Sequence, residues 1–419
     1  MNHVLIIGAG ASGLMAARTL AEKSQSVTLI EARDRIGGRI HTLSSGFSLP
    51  MEAGAEFVHG DLPLTLSLIK ESASEIKLLS GNRYQRWKGE WQTANPLEED
   101  WTKLDRALQD LKTDTDMMSF LEHHFDQEHY SNLYDSVKGY VEGYDIADLN
   151  RVSAMALKEE WEESNDELQY HITGGYIRLI NFLEDKLKAA GVSVLLSSPV
   201  KEIQWSEGKV KVLTRDGELM EGDKVIVTVP LGVLQKRDIK FIPPLPDHDQ
   251  AFAKMGFGGV IKFLFEFRNA FWENKIGTPL KEMAFLFSDE QVPTWWTQLP
   301  DKTPILTGWL GGPSAISITK DKKALYQIAL QSLSTILHYP VPDIEKEMVN
   351  YHIADWVSDP YAHGAYAYTT VETPEARRRI LQPVKGTLYF AGEALYEGTA
   401  MGTVEAALTS GKAAAEMML

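Results

Sequence analysis

The stretch His3–Ala32, HVLIIGAGASGLMAARTLAEKSQSVTLIEA, decides the fold. Its first five residues form an apolar, β-branched run of strand character, and glycines follow at once at positions 8, 10 and 13. Gly8 permits a tight turn, Gly10 lets the backbone approach a pyrophosphate, and Gly13 lets helix and strand pack closely. Ala11 and Ser12 open a helical pattern whose free N–H groups and positive dipole end suit phosphates. A second strand, Val27–Ile30, ends in Glu31, about 20 residues on, where a carboxylate accepts hydrogen bonds from ribose hydroxyls. Ala32 and Arg33 beside it are expected to line the same site. Strand, glycine turn, helix, second strand and terminal acid in this order predict a Rossmann-like dinucleotide site.

The next residues, Arg35-Ile36-Gly37-Gly38-Arg39-Ile40-His41-Thr42, fit R-x-G-G-R-x-x-[ST]. The glycine pair, Gly38 included, lets a loop pass close to a cofactor, while Arg39 can neutralise pyrophosphate charge.

Farther out, the chain is long enough, at 419 residues, for about two to three domains. A formal charge of −16 repels nucleic acid and anionic membranes and favours cationic ligands, besides aiding solubility. The cysteine count is zero, which excludes disulfides, thiolate chemistry, Cys-ligated zinc and iron–sulfur clusters. No apolar run reaches bilayer length. A strand-like run almost at the first residue leaves no place for a signal peptide, so a soluble, cytoplasmic protein is expected.

Three stretches carry α/β character: Asn2 to about Lys70, Gly174 to about Pro244, and Tyr351 to the end. Strands are predicted at Val192–Leu196, Lys209–Thr214, Lys224–Val229 and Thr387–Ala391, and a helix from about Thr403. Between them, Glu98–Glu163 reads as short amphipathic helices. Aromatic strand patterns follow at Val260–Phe267, Glu282–Phe287 and Ile305–Leu310, and a helix at Lys320–Leu337. The expected architecture is α/β, with a Rossmann-like nucleotide domain in three chain segments (1–70, 171–250 and 350–419). An α+β substrate domain (71–170, helical, and 251–349) is interleaved with it.

With these motifs in place the chain resembles the flavin-containing amine oxidases, the superfamily of monoamine oxidases, polyamine oxidases and lysine-specific histone demethylases. The resemblance rests on motifs in family order along nearly the whole chain. Met51–Gly60 (MEAGAEFVHG) is similar to the segment beside the isoalloxazine ring, which implies cofactor contacts from Gly54, Ala55, Glu56 and Phe57. Gly174-Gly175-Tyr176 resembles the turn opening the second nucleotide-domain piece. Pro199-Val200 resembles the strand edge whose backbone meets adenine, and Val227–Leu234 the strand and turn after it. Gly256–Lys262 resembles the strand carrying the active-site lysine, and Trp356–Tyr366 the aromatic segment over the flavin, with Trp356 and Tyr361 around the ring. Leu388–Glu393 and Met401–Ala407 resemble the closing FAD motif.

What the resemblance implies has a physical reading residue by residue. Glu393, at a strand end, is placed to hydrogen-bond ribityl hydroxyls, and Gly392 leaves room for the cofactor chain. Thr403 and Val404 open a helix whose positive end favours negative charge on reduced flavin. Lys262 sits in an apolar strand pattern, on the opposite face from Ile261. If that face is buried, its ammonium needs a partner, which the resemblance makes a water hydrogen-bonded to flavin N5. The other reading puts Lys262 on a solvent face. With no cysteine to link it, FAD is expected to be held non-covalently.

The pattern G-A-x-x-x-H-G brings His59 to the substrate side, as in polyamine and spermine oxidases, where neutral imidazole accepts an N–H bond from an amine. Tyr366 is expected to line the substrate side too. The second tyrosine of the monoamine oxidases has no counterpart in Gly398–Gly402. The implied reaction is oxidation of an amine C–N bond by hydride transfer to flavin N5. The imine formed hydrolyses to a carbonyl compound plus amine, and O2 is reduced to H2O2. Lys262 and His59 are the catalytic candidates, a small amine (polyamine or simple amine) is the substrate, and no metal is called for. At Phe57 the related L-amino acid oxidases carry a carboxylate-binding arginine, though Arg83 or Arg86 offer a substitute. An L-amino acid oxidase and an FAD-dependent desaturase therefore stay open. So does a non-enzymatic flavoprotein. A histone demethylase would need a protein-binding module and a long helical insertion, for which the sequence has no room.

Overall fold

The computed structural model describes residues 3–92, 98–163, 168–318 and 321–419. Asn2 and Lys320, which open two of the expected stretches, lie outside them.

A five-stranded parallel sheet runs in the order Ser193–Leu195, Ser26–Ile30, His3–Ile7, Lys224–Val227, Leu388–Phe390. Three distant pieces of chain thus return to one sheet. Its strands are apolar on both faces, as a parallel sheet covered on two sides requires. One face carries the helices Ala11–Ala21, Ile177–Ala189 and Val404–Glu416 over a core of Leu14, Leu20, Leu183 and Leu408. The last helix is rich in small residues because it must come close: a Cβ on Gly411 would fall 2.1 Å from the Ser12 carbonyl oxygen. The other face packs on a four-stranded sheet ordered Leu219–Gly222, Lys209–Thr214, Val200–Ser206, Lys240–Ile242. The predicted strand Lys224–Val229 stops at Val227. There the Thr228 hydroxyl turns back to donate to the carbonyls of Ile7 (2.9 Å) and Gly8 (3.0 Å).

A second, seven-stranded sheet runs Met348–Asp355, Val260–Phe267, Ile305–Gly311, Thr294–Trp296, Met283–Ser288, Asn82–Trp87, Glu90–Gln92. The helix Lys322–Leu337 covers one face. Met348–Asp355 pairs with Val260–Phe267 and so crosses the segment boundary expected at 349/350. The stretch 71–170 contains, besides the helices Glu98–Gln109, Met117–His124, Ser131–Gly143 and Ala154–Glu163, three strands that alternation alone had not marked: Ile76–Leu78, Asn82–Trp87 and Glu90–Gln92. No helix among the described residues is long and apolar enough to cross a membrane.

Candidate active site

Between the two large sheets lies one cavity of about 2480 Å³. Of the cofactor and catalytic candidates named from the sequence, Gly13 stands back from it. A Cβ on Gly13 would meet the Gly8 carbonyl oxygen at 1.9 Å, so its role is helix–strand packing.

The glycine turn delivers the N-terminus of Ala11–Ala21 to the cavity with no side-chain cap on it. In its first turn the Ser12 hydroxyl is buried without a protein partner among the described residues. Glu31 accepts the Ala9 N–H on one oxygen (2.7 Å) and the Arg33 N–H on the other (2.9 Å). Each oxygen keeps a lone pair for a ribose hydroxyl. Burial raises the Glu31 carboxyl, and those two N–H groups counter it. Arg33 is clamped by Asp359 (2.6 and 2.9 Å) and lies over the rings of Trp356 and Tyr361. Gly392, at φ +149°, has open space where a Cβ would sit. A diphosphate at the uncapped helix end and a polyol chain past Gly392 fit this cradle. Arg39 and Glu393, read separately as pyrophosphate and ribityl contacts, are ion-paired with each other at 2.8 Å. Their bond joins the first chain segment to the third. Thr403 caps the final helix, its hydroxyl accepting from the Ala406 N–H at 3.2 Å.

Lys262 is 1% exposed, which eliminates the solvent-face reading. Its ammonium donates to Glu56 Oε2 at 2.5 Å and to the Gly54 carbonyl at 3.1 Å. Glu56, expected to touch the cofactor, lines the cavity and is the lysine's counter-ion as well. Its other oxygen accepts from Trp296 Nε1 (3.0 Å) and Gln298 Nε2 (3.1 Å). Burial alone would raise the Glu56 carboxyl. The charge of Lys262, the nearby His171 and the hydrogen bonds outweigh it and hold the group below the usual carboxylate value. An ammonium has three donors, and these contacts use two. The third remains for the cavity that Lys262 lines.

On the substrate side, His59 ends the strand Phe57–His59 and sits edge-on to Phe57 and Tyr144. Tyr366 donates to the Tyr144 carbonyl at 2.5 Å. Burial, with Asp145 and Tyr144 close by, pushes its phenol well above the usual value and keeps it a donor. Where the sequence offered no second tyrosine, Trp309 stacks on Tyr366 (6.5 Å, 29°), and Trp296 follows at 6.0 Å from Trp309. Neither tryptophan was singled out in the sequence. Both sit in ordinary strand patterns, and only the pairing of Trp309 opposite Lys262 and the bond from Trp296 to Glu56 give them a place. Arg86 is buried among the carbonyls of Gly89, Thr335 and Ile336, away from the cavity, so it offers no carboxylate site; Arg83 lines the cavity.

Fold and site together define a dinucleotide-cofactor protein with a separate substrate-side sheet. The profile described as Flavin containing amine oxidoreductase matches residues 11–419, and the chain belongs to that family, whose cofactor is FAD. Polyamine oxidase 4 of Oryza sativa subsp. japonica is 30% identical over 99% of this chain and 88% of its own length. Lysine-specific histone demethylase 2 of Homo sapiens is 30% identical over 94% of this chain, but the chain spans only 50% of that protein. For the Arabidopsis thaliana lysine-specific histone demethylase 1 homolog 3 the figures are 29%, 94% and 28%. The fold is that of wild-type putrescine oxidase bound to putrescine (TM-score 0.81, 21% identity, 100% of this chain and 98% of that one). It is also that of cyclohexylamine oxidase from Brevibacterium oxydans IH-35A (TM-score 0.80, 20% identity, the same coverage).

Proposed function

We propose that this chain oxidises an amine with non-covalently held FAD, and that its preferred substrate is a di- or polyamine. The observation that carries the reading is Lys262, a buried ammonium on the wall of the cavity that the dinucleotide turn also opens into. When bound, FAD supplies the two-electron acceptor that takes hydride from the carbon next to nitrogen and passes the electrons to oxygen. The chain's own part is placement and charge. Ser12 and the first turn of Ala11–Ala21 would hold the diphosphate, Glu31 a ribose, and Lys262 would present its remaining N–H at the reacting centre. Trp309, Tyr366 and Trp296 wall off water, and a His59 ring nitrogen accepts an N–H from the amine. Acidic residues on the cavity wall, among them Glu142, Asp145 and Glu160, favour a second positive charge on the substrate.

The test is anaerobic reduction of the bound flavin by a panel of amines. Spermidine, spermine or putrescine should bleach it fastest. Rapid bleaching by monoamines with none by polyamines would leave only the broader amine oxidation. Bleaching by L-amino acids would point to Arg83 as a carboxylate site, and no bleaching by any amine would remove the enzymatic reading.

A further inference from the structure

We infer that Glu56 is a positioning residue of the reaction: it acts through Lys262, fixing the lysine's ammonium so that its one uncommitted N–H faces the cavity. The inference rests on the proposed amine oxidation but concerns a different residue. Its basis is the geometry around the carboxylate. Glu56 and Lys262 are 206 residues apart in sequence, and their side chains are 3% and 1% exposed. Two buried charges survive only when each is paired and its remaining sites are hydrogen-bonded. The lysine supplies the pairing to one Glu56 oxygen, while Trp296 and Gln298 saturate the other. Gln298 is itself placed by Thr307 at 3.2 Å. Three donors thus engage the Glu56 carboxylate, and of these Lys262 is the one that carries a charge.

The charged and titratable groups around the pair come from three elements. Besides Lys262 itself on Val260–Phe267, they are His171 on Gln169–Ile172, with Nδ1 3.9 Å from Glu56 Oε1, and Glu52 on Met51–Glu52. Burial lowers the His171 imidazole against the opposing pull of Glu56, and at 3.9 Å its ring is beyond hydrogen-bond reach. Lys262 is thus the cation that meets Glu56 at contact distance. Without Glu56 its ammonium would keep the Gly54 carbonyl and would be left buried without a counter-ion, free to turn and disposed to shed its proton.

The experiment compares Glu56→Gln, Glu56→Asp, Lys262→Met and the double variant Glu56→Gln/Lys262→Met as FAD-loaded enzymes. It reads anaerobic flavin reduction and, without any substrate, the absorbance spectrum of bound flavin from about pH 6 to 10. Glu56→Gln should slow reduction about 10-fold, the low end for loss of a group supporting a reacting one, and should add a pH-dependent spectral change absent from the native enzyme. In the Lys262→Met background the same substitution should change the rate by less than about 2-fold and add no spectral change. Glu56→Asp, which keeps the charge, should recover part of the rate. An equal loss in both backgrounds, or native rate and spectrum in Glu56→Gln, overturns the inference. If Glu56→Gln alone does not fold, the double variant should, since it buries neither charge; a rate in the double variant well below that of Lys262→Met, beyond about 2-fold, then overturns it. If no amine reduces native flavin, the proposed function fails, and the spectral comparison still decides for or against Glu56.

Discussion

Lys262 and Trp309 stand directly opposite each other on the antiparallel strands Val260–Phe267 and Ile305–Gly311. Cross-strand partners share a face of the sheet, so the ammonium and the indole belong to one wall of the cavity. The same sheet places Trp296, whose ring centroid lies 5.4 Å from Lys262 Nζ. A cation, its counter-ion and an aromatic wall therefore come from one sheet and the loop facing it, a rigid frame for a reacting centre.

Replacing Lys262 with Met keeps the stem's packing and removes the donor. FAD should still bind, because Ser12 and Glu31 lie elsewhere. Flavin reduction and oxygen reaction should fall about 10- to 100-fold. The protein should also lose about 3 kcal/mol or more of stability, since Glu56 is left buried without its partner. Stopped-flow kinetics and thermal melts measure both; unchanged kinetics would eliminate the assignment.

His59→Asn removes an imidazole acceptor from the cavity wall. The apparent Kd for spermidine in flavin reduction should rise about 10-fold, the value of one hydrogen bond to a charged group, with FAD content unchanged. An unaltered Kd would mean that the histidine serves the fold alone.

Two glycines separate packing from cofactor contact. Gly13→Ala would press a methyl group onto the Gly8 carbonyl at 1.9 Å, so folding yield and flavin content should drop together. Gly10→Ala meets only the Gly37 carbonyl oxygen, at 4.0 Å. It should fold and melt as an apoprotein like the native chain but bind flavin weakly. Normal flavin content in Gly10→Ala would mean that the diphosphate does not pass this turn.

Acid or heat denaturation should release all the flavin into the supernatant, because the chain has no cysteine for a thioether link. Flavin on the precipitate would reveal a histidyl or tyrosyl bond.

Glu52 gives a pH signature. It is buried, and burial pushes its carboxyl up to about 7 against the N–H of Tyr176 and the hydroxyl of Thr42. The unfolded chain loses that proton near 4.5. Folding therefore takes up a proton between the two values. The stability tied to neutral Glu52 is full below the lower value and lost as pH rises through the upper one. Glu52→Gln should gain in melting temperature relative to native between pH 5 and pH 8. Parallel profiles would show that Glu52 is ionised in the fold throughout.

The sequence by itself determined whatever depends on neighbours along the chain. Gly8, Gly10, Gly13 and Glu31 are spaced by one turn, one helix and one strand, so their spacing alone set the dinucleotide cradle. Val260–Phe267 was legible end to end because an apolar run bounded by glycine and arginine is a local signal. Glu282, expected to open the next strand, falls outside it because its backbone takes a left-handed conformation (φ +48°), which no side-chain pattern reports. Only the tertiary structure decided the partners. Glu56 meets Lys262 across 206 residues, Arg39 meets Glu393 across 354, and Trp309 stacks on Tyr366. Periodicity tells which face of an element is buried, but not which residue of another element stands against it. That is set by strand register and by the packing of one sheet over another, where a shift of one residue exchanges every partner.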